Sequence, residues 1–464
     1  MSAITEIADR VKSGKSTAVA EVEAAFERAE KHQDHGIFIS MTRERALERA
    51  REIDDKIKNG EPVGALAGVP FAAKDNYLTF GSNTTVAAKM LKEFKAPLQA
   101  TAVNKLEAEG AICIGKTNLD AYAHGGSTEN SYFGPTLNAY DKERVAGGSS
   151  GGSAVAVALG IVPFALGTDT GGSIRQPASF NGVVGIKPTY GTVSRFGVVA
   201  MASSTDTLGC FTKEVEDSAL IIDIMAGRDE SDGTTLPNFF LQGLPLQKRL
   251  RVGVIKECMG DGVDPEVREL TEQYVQRLKL AGHTVGEVSL PMYKYALAIY
   301  YIVVPAEICS NLARYDGIRY GFRDGKTLSD DYGKSRDGGF MPENKRRIMI
   351  GNYVLSSGFF DAYYLQAEKA RTLLIGDYDK AFKNFDVLIS PVAPTPAFKL
   401  GENTDDPLKM YMADVMTVPP SLAGLPALDV PAGNTKAGLP VGVQLIGKSK
   451  DDATLFNLAK EVEK

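Results

Sequence analysis

Apolar residues in this chain follow two rhythms. Over the first sixty residues they recur at helical spacing. Ile4, Ile7 and Val11 fall on one side of a short amphipathic stretch, Thr17 to Lys31 repeats alanine and valine, and Thr42 to Ile57 alternates charges around few apolar positions. This predicts outer helices packed on a core. From Gly64 the rhythm changes to short apolar runs separated by amphipathic ones. GVPFAAKDN (Gly68 to Asn76) reads as a strand, Thr101 to Glu109 as a helix closed by Gly110, and AICIGKTN from Ala111 as a second strand. The logic returns in LRVGVIKE (Leu250 to Glu257), a helix from Pro265 to Leu280 closed by Gly282, then HTVGEVSLP, FDVLISPVAP and LPVGVQLIG. Strand and helix in alternation predict an α/β fold, a sheet between helices.

One stretch breaks the rhythm. Gly147 to Phe180, GGSSGGSAVAVALGIVPFALGTDTGGSIRQPASF, contains eight glycines and three Gly-Gly-Ser triplets. Glycine costs roughly 0.5–1 kcal/mol in a regular element, so clusters persist where backbone approaches something closely or takes a positive φ. A flexible Gly/Ser linker has similar composition. The intervening AVAVALGIVPFALG is too apolar to stay solvated, and reads as a buried helix from Ala154 to Leu159 followed by a buried strand from Ile161 to Leu166. Both glycine clusters are therefore pinned to a core.

Composition narrows the class. With 464 residues, 44% hydrophobic and 24% charged, the chain can bury a large core. The polar segment from Gly227 to Gly243 is a conceivable domain boundary, but strands returning near the C-terminus favour one continuous sheet. The net charge is −6 and no block of five basic residues occurs, so no electrostatic footprint for nucleic acid is present. The four cysteines, Cys113, Cys210, Cys258 and Cys309, are widely spaced, with no CxxC pair, and read as reduced, buried thiols. The longest apolar runs, Ser153 to Gly167 and Tyr295 to Ala306, are broken by Gly160 with Pro163 and by Pro305, short of the ~18–20 residues of a membrane helix. The N-terminus lacks a basic leader followed by an apolar stretch and a cleavage site, so the expected address is cytoplasmic, without membrane association.

Serine chemistry needs an activating base. Among His32, His35, His124 and His283, only His124, in AHGGSTEN, lies near a glycine-rich loop; the other three read as surface positions. A lysine can replace histidine in this role. Lys74 follows an apolar strand in GVPFAAKDN, where desolvation lowers an ammonium pKa. The plainer readings of Lys74 are a strand end or an ion pair with Asp75. GAICIGKT (Gly110 to Thr117) matches the GxxxxGK[ST] phosphate-loop pattern, but its four middle residues are themselves the strand, so nucleotide binding is not expected there.

GGSSGGSA and GTDTGGSIRQPA, with Lys74 upstream, resemble the signature of the amidase signature family. The resemblance implies a single α/β domain over residues 1–464, its mixed β-sheet sandwiched between α-helices. N-terminal helices would span 1–60, the signature region 64–225, and the rest of the sheet with a substrate pocket 244–464. It further implies Ser173 as nucleophile, Ser149 as bridging serine 24 residues earlier, and Lys74 as base, with the amides of Thr170, Gly171 and Gly172 as oxyanion hole. Ser150, Asp169 and Arg175 read as loop supports. Outside the signature, NLDAYAHGGSTENSYFGPTLN, KPTYGTVSRFGVVAMASSTDTLG, ENKRRIMIGNYVLSSGFFDAYY and VPPSLAGLPALDVPAG are similar to the A subunits of glutamyl-tRNA(Gln) amidotransferases. That similarity implies release of ammonia from glutamine and its passage to a B subunit that activates Glu-tRNA(Gln) with ATP and Mg, with a small C subunit joining the two. This chain would hold no cofactor or metal. Arg347 would hold the glutamine carboxylate, with Arg346 its neighbour, Asp414 the α-ammonium, and Tyr300 or Tyr301 would line the pocket. A free-standing amidase with the same triad is the alternative. The chain departs from the pattern at Ala121 and His124, which stand where acidic or larger, apolar residues are expected, and at Gly209-Cys210, where Gly-Pro is common.

Overall fold

The structure, a computed structural model, describes residues 2–237 and 249–463. Eleven strands among these form one mixed sheet: β1 (Phe38–Met41), β2 (Pro70–Lys74), β3 (Ile112–Thr117), β4 (Phe164–Asp169), β5 (Val184–Lys187), β6 (Thr207–Thr212), β7 (Arg251–Ile255), β8 (Thr284–Val288), β9 (Val387–Pro391), β10 (Ala427–Asn434) and β11 (Pro440–Ile446). Their spatial order is β1-β3-β2-β4-β6-β5-β10-β11-β9-β7-β8. Strands β3, β2 and β4 are mutually parallel, as are β9, β7 and β8, and antiparallel strands join the two groups. The continuous sheet is the one expected from returning C-terminal strands. Part of the conceivable boundary between Gly227 and Gly243 lies outside the described residues.

The period-2 geometry of the strands sorts side chains onto two faces. From β2, Phe71 and Ala73 enter one apolar cluster while Ala72 enters another. Strand β4 repeats this with Phe164 and Leu166 against Ala165, and the Phe71 and Phe164 rings stack at 5.1 Å. One face is covered by helices Thr101–Ala108, Val215–Met225 and Asp452–Val462. The other lies under Ala18–Lys31, Arg43–Lys58 and Gly151–Ala158. A third cluster gathers helices Ala296–Leu312 and Leu365–Asn384 over the remaining strands.

Several sequence expectations shift. The glycine-region helix starts at Gly151, because the Ala154 N–H already donates to the Ser150 carbonyl at 3.2 Å. The strand after it begins at Phe164, three residues later than read, since Leu159 ends the helix and Gly160 to Pro163 turn the chain. The apolar run near Tyr295 does not stop at Pro305. Tyr293–Leu312 continues as a 20-residue segment, long and apolar enough to cross a membrane by length and composition, with half of it buried inside the protein. Packing in the third cluster carries the helix through the proline. Cys309 is only half-buried, unlike the other three thiols, and His35 and His283 are buried rather than superficial. The phosphate-loop lookalike is strand β3, its Lys116 enclosed in an ion pair with Asp75.

Candidate active site

Parallel strands β2, β3 and β4 finish together, and the chemistry-bearing groups gather at their C-terminal ends. Lys74, the last residue of β2, is fully buried. Its Nζ lies 2.7 Å from Ser149 Oγ, 2.8 Å from Ser150 Oγ and 3.0 Å from Thr168 Oγ1. All are hydroxyls, and no carboxylate among the described residues pairs with it. Burial pushes the Lys74 pKa down to about 7, against the opposing pull of Asp120, Asp169 and Asp206. Asn76 Nδ2 completes the hydroxyl cage by donating to Thr168 Oγ1 at 3.1 Å.

The segment after β4 is built around one carboxylate. Asp169 accepts from the N–H groups of Gly172 at 2.9 Å, Ile174 at 3.2 Å and Arg175 at 3.4 Å. It also takes the Arg175 guanidinium, with Nε and Nη2 each at 2.9 Å. Burial pushes this carboxyl up, but the Arg175 charge and these donors outweigh it and hold Asp169 below the usual range. Arg175 reaches on to Gln444 Oε1, the Thr417 carbonyl and Ser421 Oγ. The loop is thereby bolted to β11 and to the turn before helix Val418–Leu422.

Ser173 sits on this loop with 8% of its surface exposed, whereas Lys74 and Ser149 have none. Its carbonyl accepts the Ser150 N–H at 3.2 Å, tying the two glycine clusters together. Its Oγ has no hydrogen-bond partner among the described residues, so the contact from Ser149 to Ser173 is not closed here, while that from Lys74 to Ser149 is. The amides expected to form the oxyanion hole differ in their present partners. The Gly172 amide is already committed to Asp169, leaving the amides of Thr170, Gly171 and Ser173 without a protein acceptor among the described residues. Gly172 has a different necessity: φ is +142°, and a Cβ there would lie 2.1 Å from Thr417 Oγ1.

A cavity of about 300 Å³ adjoins the loop, lined in part by Gly126, Tyr301, Arg347, Tyr411 and Asp414. Asp414 stands beside Gly172 and Gly126, within 3.5 Å of where either Cβ would be. Burial raises its carboxyl to about 8, with Arg347 opposing the rise. Helix Pro342–Leu355 separates the two neighbouring arginines: the Arg346 side chain is 44% exposed and the Arg347 side chain 5%. Arg347 Nε donates to Glu343 Oε1 at 2.8 Å, one helical turn earlier, and its guanidinium lies over the rings of Tyr301 and Tyr411, which stack at 3.8 Å. Tyr300 faces elsewhere, its hydroxyl 2.7 Å from where a Gly171 Cβ would stand. His124 meets no serine: its Nδ1 pairs with Asn344 at 2.8 Å, and burial holds its pKa well below the usual value.

A family model described as Amidase matches residues 20–456. The chain belongs to the amidase family. This amidase is 50% identical over 468 aligned residues, 99% of its own length and 97% of its relative's, to the Koribacter versatilis protein named as the A subunit of glutamyl-tRNA(Gln) amidotransferase. The crystal structure of the corresponding A subunit from Thermotoga maritima, likewise named for glutamyl-tRNA(Gln) amidotransferase, superposes with a TM-score of 0.80 at 38% identity, over 96% of this chain and 91% of that one. The structure of 6-aminohexanoate cyclic dimer hydrolase complexed with substrate superposes at 0.86 with 25% identity, over 99% and 96%.

Sequence reasoning missed five residues that shape the site of this amidase. Asp120 accepts the amides of Ser127, Thr128 and Asn130 and so folds the loop bearing Gly126. Glu343, Asn344 and Tyr411 set the Arg347 end of the cavity, and Thr417 Oγ1 donates to the Gly171 carbonyl at 2.6 Å. Only Glu343 left a usable signal, its four-residue spacing from Arg347.

Proposed function

We propose that this chain is the glutaminase subunit of a glutamyl-tRNA(Gln) amidotransferase, working through an acyl-enzyme on Ser173. The observation that carries the reading is a lysine buried among hydroxyls, 2.7 Å from Ser149 and without a carboxylate partner among the described residues. Neutral Lys74 takes the Ser149 proton, Ser149 takes that of Ser173, and Ser173 Oγ bonds to the side-chain carbonyl carbon of glutamine. The C–N bond then breaks. The proton held by Lys74 returns through Ser149 to the leaving nitrogen, which departs as ammonia. Water next cleaves the ester, releasing glutamate and restoring Ser173.

The free amides of Thr170, Gly171 and Ser173 are the donors for the developing oxyanion, each worth about 2.7–4 kcal/mol of transition-state stabilisation. Arg347 takes the glutamine carboxylate and Asp414 the α-ammonium, while Tyr300 backs the nucleophile loop and Tyr301 lines the cavity. Ammonia passes to a cytoplasmic B subunit that activates Glu-tRNA(Gln) with ATP and Mg, a C subunit linking the two.

The test is ammonia release from glutamine against a panel of simple amides, by the chain alone and with B and C subunits. Glutamine-selective release, abolished by Ser173→Ala and raised by the partners, is expected. A free-standing amidase is the second reading, favoured by the closer superposition on 6-aminohexanoate cyclic dimer hydrolase than on the Thermotoga protein. Equal or better turnover of simple amides would establish it.

A further inference from the structure

Resting on the glutaminase reading, we infer that His124 is a specificity residue, donating its Nε2–H to the substrate carboxylate beside Arg347. The tautomer follows from Asn344. That amide gives Nδ2 to the Ala121 carbonyl at 2.7 Å and receives the Met341 N–H on Oδ1 at 3.1 Å. Turning it over would set oxygen against a carbonyl and nitrogen against an N–H, so its orientation is fixed. Asn344 Nδ2 therefore donates to His124 Nδ1, at 2.8 Å. The ring is neutral, because burial and the nearby Arg347 charge both disfavour the imidazolium. Its single proton is then on Nε2.

That Nε2–H is a buried donor with no protein acceptor among the described residues, on a residue of the cavity wall. Buried donors are seldom left so unless a ligand supplies the acceptor. Four further buried polar atoms on residues lining the same cavity lack partners among the described residues: Glu129 Oε2, Tyr301 Oη, Asn403 Oδ1 and Asp414 Oδ1. The two ends of the cavity differ. Asp414 adjoins the nucleophile loop, whereas Arg347 uses only Nε on Glu343 and keeps its two Nη groups free of hydrogen bonds to described residues. A carboxylate at the Arg347 end has acceptor positions for both a guanidinium and one neutral N–H. An apolar side chain at 124 would have no proton to give.

The experiment compares glutamine with 4-aminobutanamide, which is glutamine with hydrogen in place of the carboxylate, using the full chain with its B and C subunits. His124→Met should raise the glutamine KM about tenfold, the size of one hydrogen bond to a charged group, with kcat within about twofold. Turnover of 4-aminobutanamide should not change. His124→Gln retains an N–H donor and should recover most of the loss. Independently, adding glutamine to ¹⁵N-histidine-labelled Ser173→Ala protein should move the Nε2 proton downfield. An unchanged glutamine KM in His124→Met, an equal loss on both substrates, or a stationary Nε2 proton would overturn the inference. If the wild type released no Ser173-dependent ammonia from glutamine, the glutaminase reading itself would fall, and this inference with it.

Discussion

The neighbouring strands β2 and β3 each end beside a fully buried lysine, and the two lysines keep different company. Lys116 pairs with Asp75 at 2.8 Å and donates to Thr84 Oγ1 at 3.1 Å. Asp75 in turn accepts the Thr85 amide at 2.9 Å and the Thr85 hydroxyl. Among the described residues Lys74, its neighbour across the strands, meets only hydroxyls and a carbonyl. Both side chains are taken out of water equally, so burial alone does not make a base. Lys116 has its buried charge partner in Asp75, whereas Lys74 has no such carboxylate among the described residues, and there desolvation favours the neutral amine.

The contrast breaks most visibly on activity. Lys74→Met should lower kcat by about a thousandfold or more, as expected when a general base acting on a nucleophile is removed, with the fold retained. Steady-state ammonia release measures it. The same change at Lys116 should act on stability instead. It leaves the Asp75 carboxylate buried without its cation, costing about 3–5 kcal/mol in denaturant unfolding, whereas removing both charges with Lys116→Met/Asp75→Leu should restore most of the loss. The smallest effect is in pH dependence. With the Lys74 pKa lowered to about 7, the neutral amine dominates above that value, so kcat/KM should rise through it and then level, and Lys74→Arg should show no such rise. The sign for stability follows from the same shift. Between about 7 and the ordinary lysine value of 10.5 the unfolded chain binds the extra proton, so the wild type should gain stability relative to Lys74→Met as pH climbs through that window.

Much of this was legible in the sequence because local patterns encode it. The apolar runs that open β2 and β3 announced strands, and the Pro265–Leu280 helix carries its own stop signal in Gly282. The glycine clusters marked the loops around Ser149 and Ser173 because only backbone fits there. What stayed hidden is set by tertiary contact. The middle strands β5, β6 and β10 are paired by long-range register that no short pattern records. Nothing in the sequence around Gly172 records that its amide donates to Asp169. Thr417 and Asn344 are ordinary polar residues in sequence and acquire meaning only through a partner hundreds of positions away.

Thr417 joins two functions in one turn of chain. Its N–H donates to the Asp414 carbonyl at 3.1 Å, its hydroxyl holds the Gly171 carbonyl, and its own carbonyl receives Arg175. The carboxylate assigned to the substrate amine and the loop assigned to the reacting carbonyl therefore move as one body. Under those roles the cavity is a fixed-length gauge. It measures the number of bonds between amine and amide, and a substrate one methylene shorter or longer would meet it out of step, losing kcat rather than binding alone.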